Sequence, residues 1–159
     1  MINKKFFYTF IVLTIFFLDR ITKFWVINIF NNAQKTEIIL FPFLNINLIW
    51  NEGIAFGLFS FDDKSYYNLL TFLILMVIMI IFFMFLNSRG VERYAFLMII
   101  GGSLGNIFDR LIHSKVPDFI DIHYENYHWF IFNVADIFIT IGVFILITNE
   151  LFLKPKKQI

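Results

Sequence analysis

The chain contains no cysteine. That excludes disulfides, thiolate metal sites and a cysteine nucleophile together, and it leaves the redox compartment open. A strong charge of either sign is also missing. The formal net charge is +1, which gives no case for a nucleic-acid partner. No internal repeat and no low-complexity linker divides the 159 residues, so a single domain is expected over 1–159. Two long stretches, residues 65–88 and 94–108, hold no charged side chain at all.

What fills those stretches is hydrocarbon. Hydrophobic residues make up 59% of the chain, where soluble domains run near half. About 20 consecutive apolar residues cross a bilayer as a helix. The expected fold is a membrane all-α protein, a bundle of four transmembrane helices at about 6–29, 66–86, 94–112 and 129–149. The N-terminus imitates a signal peptide, with Lys4 and Lys5 before an uncharged run from Phe6 to Leu18. Asp19-Arg20 comes next instead of a small-residue cleavage site, so this segment reads as retained.

Lys and Arg set the expected orientation. Lys4, Lys5, Arg89, Arg93, Lys154, Lys156 and Lys157 fall on one side of such a bundle. The opposite loops hold only Lys35, Lys64 and Lys115. Both termini are therefore expected in the cytoplasm and both long loops outside. The first outer loop is expected to form a small β element at about 36–60. Its Leu44-Asn45-Ile46-Asn47-Leu48 alternates as a half-buried strand does, and Gly53 and Gly57 punctuate the chain beyond it.

Carboxylates are expensive in such a setting, and an intramembrane acid is a functional candidate by default. Asp19 lies 13 residues beyond Phe6, and Asp109 lies 15 residues beyond Tyr94. At a rise of ~1.5 Å per residue these are about 20 Å and 22 Å from the cytoplasmic face. Asp136 lies 7 residues beyond Trp129, about 10 Å in from the outer face. The three counts converge on the outer leaflet, and Asp118 lies in the loop just before the fourth helix. Converging carboxylates can share a proton and divide acid from base work. They can equally be structural acids paired with Arg20, Lys23 or Arg110, and spacing alone leaves both readings open.

Other groups surround these acids in sequence. Asn133 precedes Asp136 by three and can share its face; Asn106 and Arg110 are four apart, as are Asp19 and Lys23. Arg110 can snorkel and pair with Asp109 or Asp19. Gly101-Gly102-Ser103-Leu104-Gly105 matches the G-x-S-x-G hydrolase elbow, which needs a strand before it and a helix after. Here it sits inside an uncharged helix, where Gly101 and Gly105 read as close helix packing. His113, His123 and His128 crowd the second outer loop near Asp118 and Asp121. A metal site there is conceivable, but no H-x-x-x-H-like spacing is present, and interfacial loop histidines are the plainer reading.

Five phrases in order resemble one family. They are Asp19-Arg20-Ile21-Thr22-Lys23, Asn51-x-Gly53-x-Ala55-Phe56-Gly57, Gly105-Asn106-x-x-Asp109-Arg110, Val116-x-Asp118-Phe119-x-Asp121 and Phe132-Asn133-x-Ala135-Asp136. Their order and the four-span length resemble bacterial lipoprotein signal peptidase (signal peptidase II), over nearly the whole chain. The resemblance implies an aspartyl endopeptidase of the cytoplasmic membrane. It would cut prolipoproteins just before a diacylglyceryl-modified cysteine, with no metal or cofactor. Asp118 and Asp136 map onto the catalytic pair, and Asp19, Lys23, Asn51, Gly53, Asn106, Arg110, Asn133 and Ala135 onto substrate-binding or supporting positions. Pro117 stands where an aliphatic residue is common in the family, and it biases Val116 toward extended backbone. The expected partners are lipidated prolipoproteins and membrane lipid, with the enzyme a monomer. A small proton- or ion-coupled transporter is the competing expectation, because buried acids also mark relays; a non-catalytic assembly subunit is the third.

Overall fold

The computed structural model describes residues 3–33, 37–53, 64–125 and 127–153. In chain order the elements are α1 (Lys4–Ala33), β1 (Ile38–Phe41), β2 (Leu44–Asn51), α2 (Lys64–Asn87), α3 (Gly90–His113), β3 (Val116–Tyr124), β4 (Tyr127–Phe132) and α4 (Val134–Thr148). A π-helical turn, Asn149–Leu153, ends the described chain. The last part of the expected β element, residues 54–60 with Gly57, lies outside the described residues.

Among the described residues, three helices are long and apolar enough to span a membrane: Tyr67–Asn87, Gly90–His113 and Val134–Phe152. They differ in what surrounds them. Only 6% of the α2 span is buried against protein, but 61% of the α3 span is. Phe72, Val77, Ile80 and Phe83 of α2 face outward, an apolar surface that water would not tolerate on a monomer. α1 is longer still, with 30 residues, and carries Asp19, Arg20 and Lys23 in its middle.

The helix α3 is the axis of the bundle and touches each of the other three. Its small residues make this possible. A Cβ on Gly101 would come 2.9 Å from Ile15 of α1, and one on Gly105 would come 2.5 Å from the Asp19 carboxylate. On the opposite side a Cβ on Gly102 would sit 2.5 Å from the Ala135 carbonyl oxygen of α4, a clash only backbone movement relieves. The glycine-serine phrase is thus helix packing, as its spacing suggests. Gly90 opens α3 at φ +56°, a left-handed conformation that glycine adopts without strain.

The sheet departs from the expected plan. It is four-stranded and antiparallel in the order β1-β2-β3-β4, so half of it comes from the second long loop. The expected helix start at Trp129 is corrected to Val134, because residues 127–132 form β4. Tyr127-His128-Trp129-Phe130-Ile131-Phe132 is rich in aromatic side chains that suit a pleated surface. Periodicity alone does not separate such an apolar run from a buried helix. Pairing decides it: Ile120 lies opposite Phe132 and Asp121 opposite Ile131. β4 pairs with β3 only from Ile120 onward. Pro117, opposite Trp50 of β2, falls where β3 has a strand on one side only, the stretch in which a missing N–H costs least.

Val26 of α1, Ile46 of β2 and Phe119 of β3 form a buried cluster, flanked by Phe30, Leu48 and Val134. It seats the sheet on the end of α1. The strand bearing Asp118 is thereby held against the helices bearing the other acids.

Candidate active site

Asn133 joins the two principal carboxylates. Its backbone is extended (φ −125°, ψ 179°), so it caps α4 rather than belonging to it. The Asp136 N–H donates to Asn133 Oδ1, and the Asn133 N–H donates to Asp136 Oδ2, both at 3.1 Å. This reciprocal capping box fixes the Asp136 side chain in the first turn of α4. The remaining amide group, Asn133 Nδ2, donates to Asp118 Oδ1 at 2.6 Å. One fully buried asparagine therefore holds Asp118 by its side chain and Asp136 by its backbone.

Each acid has a second amide. Asn51 Nδ2, at the end of β2, donates to Asp118 Oδ2 at 2.9 Å. Asn106 Nδ2, on α3, donates to Asp136 Oδ1 at 2.8 Å. Asn51 Oδ1 also takes the N–H of Gly53, whose carbonyl accepts from Arg110 at 2.5 Å. The expected pairing of Arg110 with Asp109 or Asp19 is corrected: Arg110 braces the chain after β2, because Arg20 occupies those acids. Asp118 is 4% exposed, and burial together with the nearby Asp136 raises its carboxyl from 3.8 to about 6, against the lowering pull of Asn51 and Asn133.

Behind the pair lies a buried ionic knot. Lys23 Nζ reaches Asp109 Oδ2 at 2.7 Å, Asp19 Oδ2 at 3.0 Å and Asn106 Oδ1 at 2.8 Å. Arg20 holds Asp109 with both terminal nitrogens at 2.5 Å and Asp19 at 2.6 Å. Asp19 Oδ1 in turn accepts the Ala135 N–H at 3.1 Å. Lys23 thus fixes which way the Asn106 amide points, and so which end meets Asp136. Asp136 sits in the first turn of α4, not seven residues into a helix, yet the Asp19–Ala135 bond puts it level with the acids of α1 and α3.

All ten expected site residues fall in this one assembly. Arg20 and Asp109, expected as a pairing cation and a converging acid but not among those ten, complete the knot. Their signal is present in the adjacent Asp19-Arg20 and Asp109-Arg110 pairs, but sequence does not say which arginine binds these acids. Asp136 is partly exposed and looks onto an apolar groove of about 480 Å³, lined also by Trp129, Phe130, Phe132, Ile137 and Ile141.

Fold and site together define a helical membrane protein with two amide-bound carboxylates beside a hydrocarbon groove. Residues 11–152 match the family described as signal peptidase (SPase) II. The chain is 51% identical over 158 residues to the lipoprotein signal peptidase of Pelagibacter ubique (strain HTCC1062), covering 98% of this chain and 95% of that protein. It is 43% identical to that of Wigglesworthia glossinidia brevipalpis, covering 88% and 91%. A solved bacterial membrane enzyme superposes with a TM-score of 0.75 at 28% identity, covering 96% of this chain and 93% of that one. The chain belongs to the signal peptidase II family and is a peptidase.

Proposed function

We propose that the chain is a four-span aspartyl endopeptidase of the bacterial cytoplasmic membrane that removes signal peptides from diacylglyceryl-modified prolipoproteins. It cuts just before the lipidated cysteine. The observation that carries this reading is the shared asparagine, which holds Asp118 and Asp136 side by side with their remaining lone pairs free for a water and a carbonyl. α1 is the fourth span, its charges neutralised within the knot. Both termini lie in the cytoplasm, following the Lys and Arg bias, and the site faces outward. The chain is one domain and acts as a monomer.

Two close carboxylates titrate as a coupled pair. The ionised member removes a proton from water, whose oxygen bonds to the scissile carbonyl carbon. The protonated member donates to the carbonyl oxygen, and a proton passes to the nitrogen as the C–N bond breaks. The products are a signal peptide with a new carboxylate and a lipoprotein with a free cysteine amine. The apolar groove beside Asp136 suits acyl chains or signal-peptide side chains. Ile39, Phe41 and Phe43 on and beside β1, with Tyr124 and Trp129, are exposed and rest in membrane lipid.

Purified protein mixed with a synthetic diacylglyceryl lipobox peptide should release the signal peptide with no ion gradient. Intact peptide after prolonged incubation would leave ion-coupled transport as the better reading.

The pH dependence has a definite sign. Asp118 binds its proton more tightly folded (about 6) than at its ordinary 3.8. It stabilises the fold below that lower value, and the contribution is lost as pH rises through 6. Asn51→Ala deletes a hydrogen bond to the ionised form, so the pH–rate limb near 6 should move to higher pH. An unmoved limb would remove Asp118 from the titrating pair.

A further inference from the structure

The tip of the β3–β4 hairpin carries a second cluster of groups, used by nothing above. His123 and His128 lie directly opposite one another across the two strands. Their rings stack at 5.1 Å with 24° between planes. Asp121, two residues before His123, is fully buried, and both its carboxylate oxygens face His128 Nδ1, at 2.9 and 3.1 Å. One ligand atom from each of the three side chains lies within 4.8 Å of the others. His123 Nδ1 is buried and has no hydrogen-bond partner among the described residues. His113, the third histidine, is elsewhere, against Trp50 at 5.6 Å.

We propose that Asp121, His123 and His128 form a divalent transition-metal site, with Zn²⁺ the best-suited ion. Two imidazoles and a carboxylate are the donor set of zinc and its borderline neighbours. Calcium and magnesium take oxygen donors and are disfavoured. Zinc bonds of ~2.0–2.2 Å call for donors about 3.3 Å apart in a tetrahedron. The cluster must therefore tighten by up to about 1.5 Å, and His128, with a side chain 53% exposed, is the arm free to do it. The buried Asp121 is the fixed ligand, and the unsatisfied nitrogen of His123 gains a partner on binding. A fourth position stays open to water.

The site is a clip, apart from the hydrolytic chemistry. β3 runs back from Asp121 to Asp118 in three residues, and β4 runs forward from His128 to Asn133 in five. A metal joining the strands at their tip pins the register between the two halves of the carboxylate site. Because metal binding by the folded chain alone stabilises it, occupancy is legible in melting as well as in spectra.

The test is Co²⁺ titration of tag-free protein in detergent, followed by visible absorption and then Zn²⁺ competition. One Co²⁺ per chain with tetrahedral ligand-field bands, displaced by Zn²⁺, is expected. Zn²⁺ should also raise the melting temperature. His123→Ala and His128→Ala should each weaken Co²⁺ binding by at least about tenfold and cancel the melting shift, while His113→Ala changes neither. Asp121→Asn is avoided because its buried carboxylate also serves the fold. Absence of stoichiometric binding in the parent protein, or equal binding in the His123 and His128 variants, overturns the proposal and leaves a histidine–aspartate hydrogen bond.

Discussion

Asp136→Asn protein, purified and inserted in detergent, should show no measurable release of signal peptide from a lipobox substrate. A positioned acid or base accounts for about 10²–10⁴ in rate, and an amide can serve as neither at neutral pH. The change is nearly isosteric. The substituted amide can keep its oxygen on the Asn133 N–H, although Asn106 Nδ2 then meets an NH₂ group. One mismatched hydrogen bond costs about 1–3 kcal/mol, so melting should fall modestly while activity vanishes. Asp118→Asn should behave likewise, with Asn51 and Asn133 competing for one oxygen. Activity within tenfold of the parent in either variant would refute the assignment of this pair.

Lys23→Met is expected to be the most destabilising single change in the ionic knot. Lys23 is 1% exposed and contacts two carboxylates, Asp19 and Asp109, which are 0% and 1% exposed. Removing one member of a buried ion pair costs about 3–5 kcal/mol, because a charge is left without compensation. Arg20 remains for both acids, but it approaches from the partly exposed side and cannot occupy the ammonium position. Asn106 also loses the donor that orients its amide, so activity should drop beyond what the melting shift explains. Adding Asp109→Asn should recover part of the stability, giving a non-additive cycle. If Lys23→Met melts with the parent, the knot is not holding the helices together.

The helices and the acids are legible in the sequence because lipid imposes one rule on every residue that faces it. Uncharged runs mark α2 and α3, and each acid stands out against them. Helical rise brings Asp19 and Asp109 to one depth, whereas the count for Asp136 assumes a helix over residues that form β4. The hairpin is not legible. Trp129-Phe130-Ile131-Phe132 is as apolar as a span, and only pairing with β3, invisible in a linear chain, makes it part of a strand. Shifting the start of α4 to Val134 turns Asn133 from a helix-face neighbour into a cap. That exchange explains why Asn133 reaches Asp118 at all: an extended backbone points its amide back toward the sheet. The choice of Arg20 over Arg110 for Asp109 is likewise hidden, since both lie one turn or less from an acid.

Asp136 closes the first turn of α4 with the same oxygens that, in the proposed reaction, must gain and lose a proton. An anion at a helix start steadies it, and a neutral acid does so less. In that proposed reaction, protonation of Asp136 would weaken one of the bonds that hold the start of α4. Asn133 and Asp19 hold the neighbouring N–H groups throughout, so the start of the helix keeps two fixed anchors beside the one that the proposed chemistry would titrate.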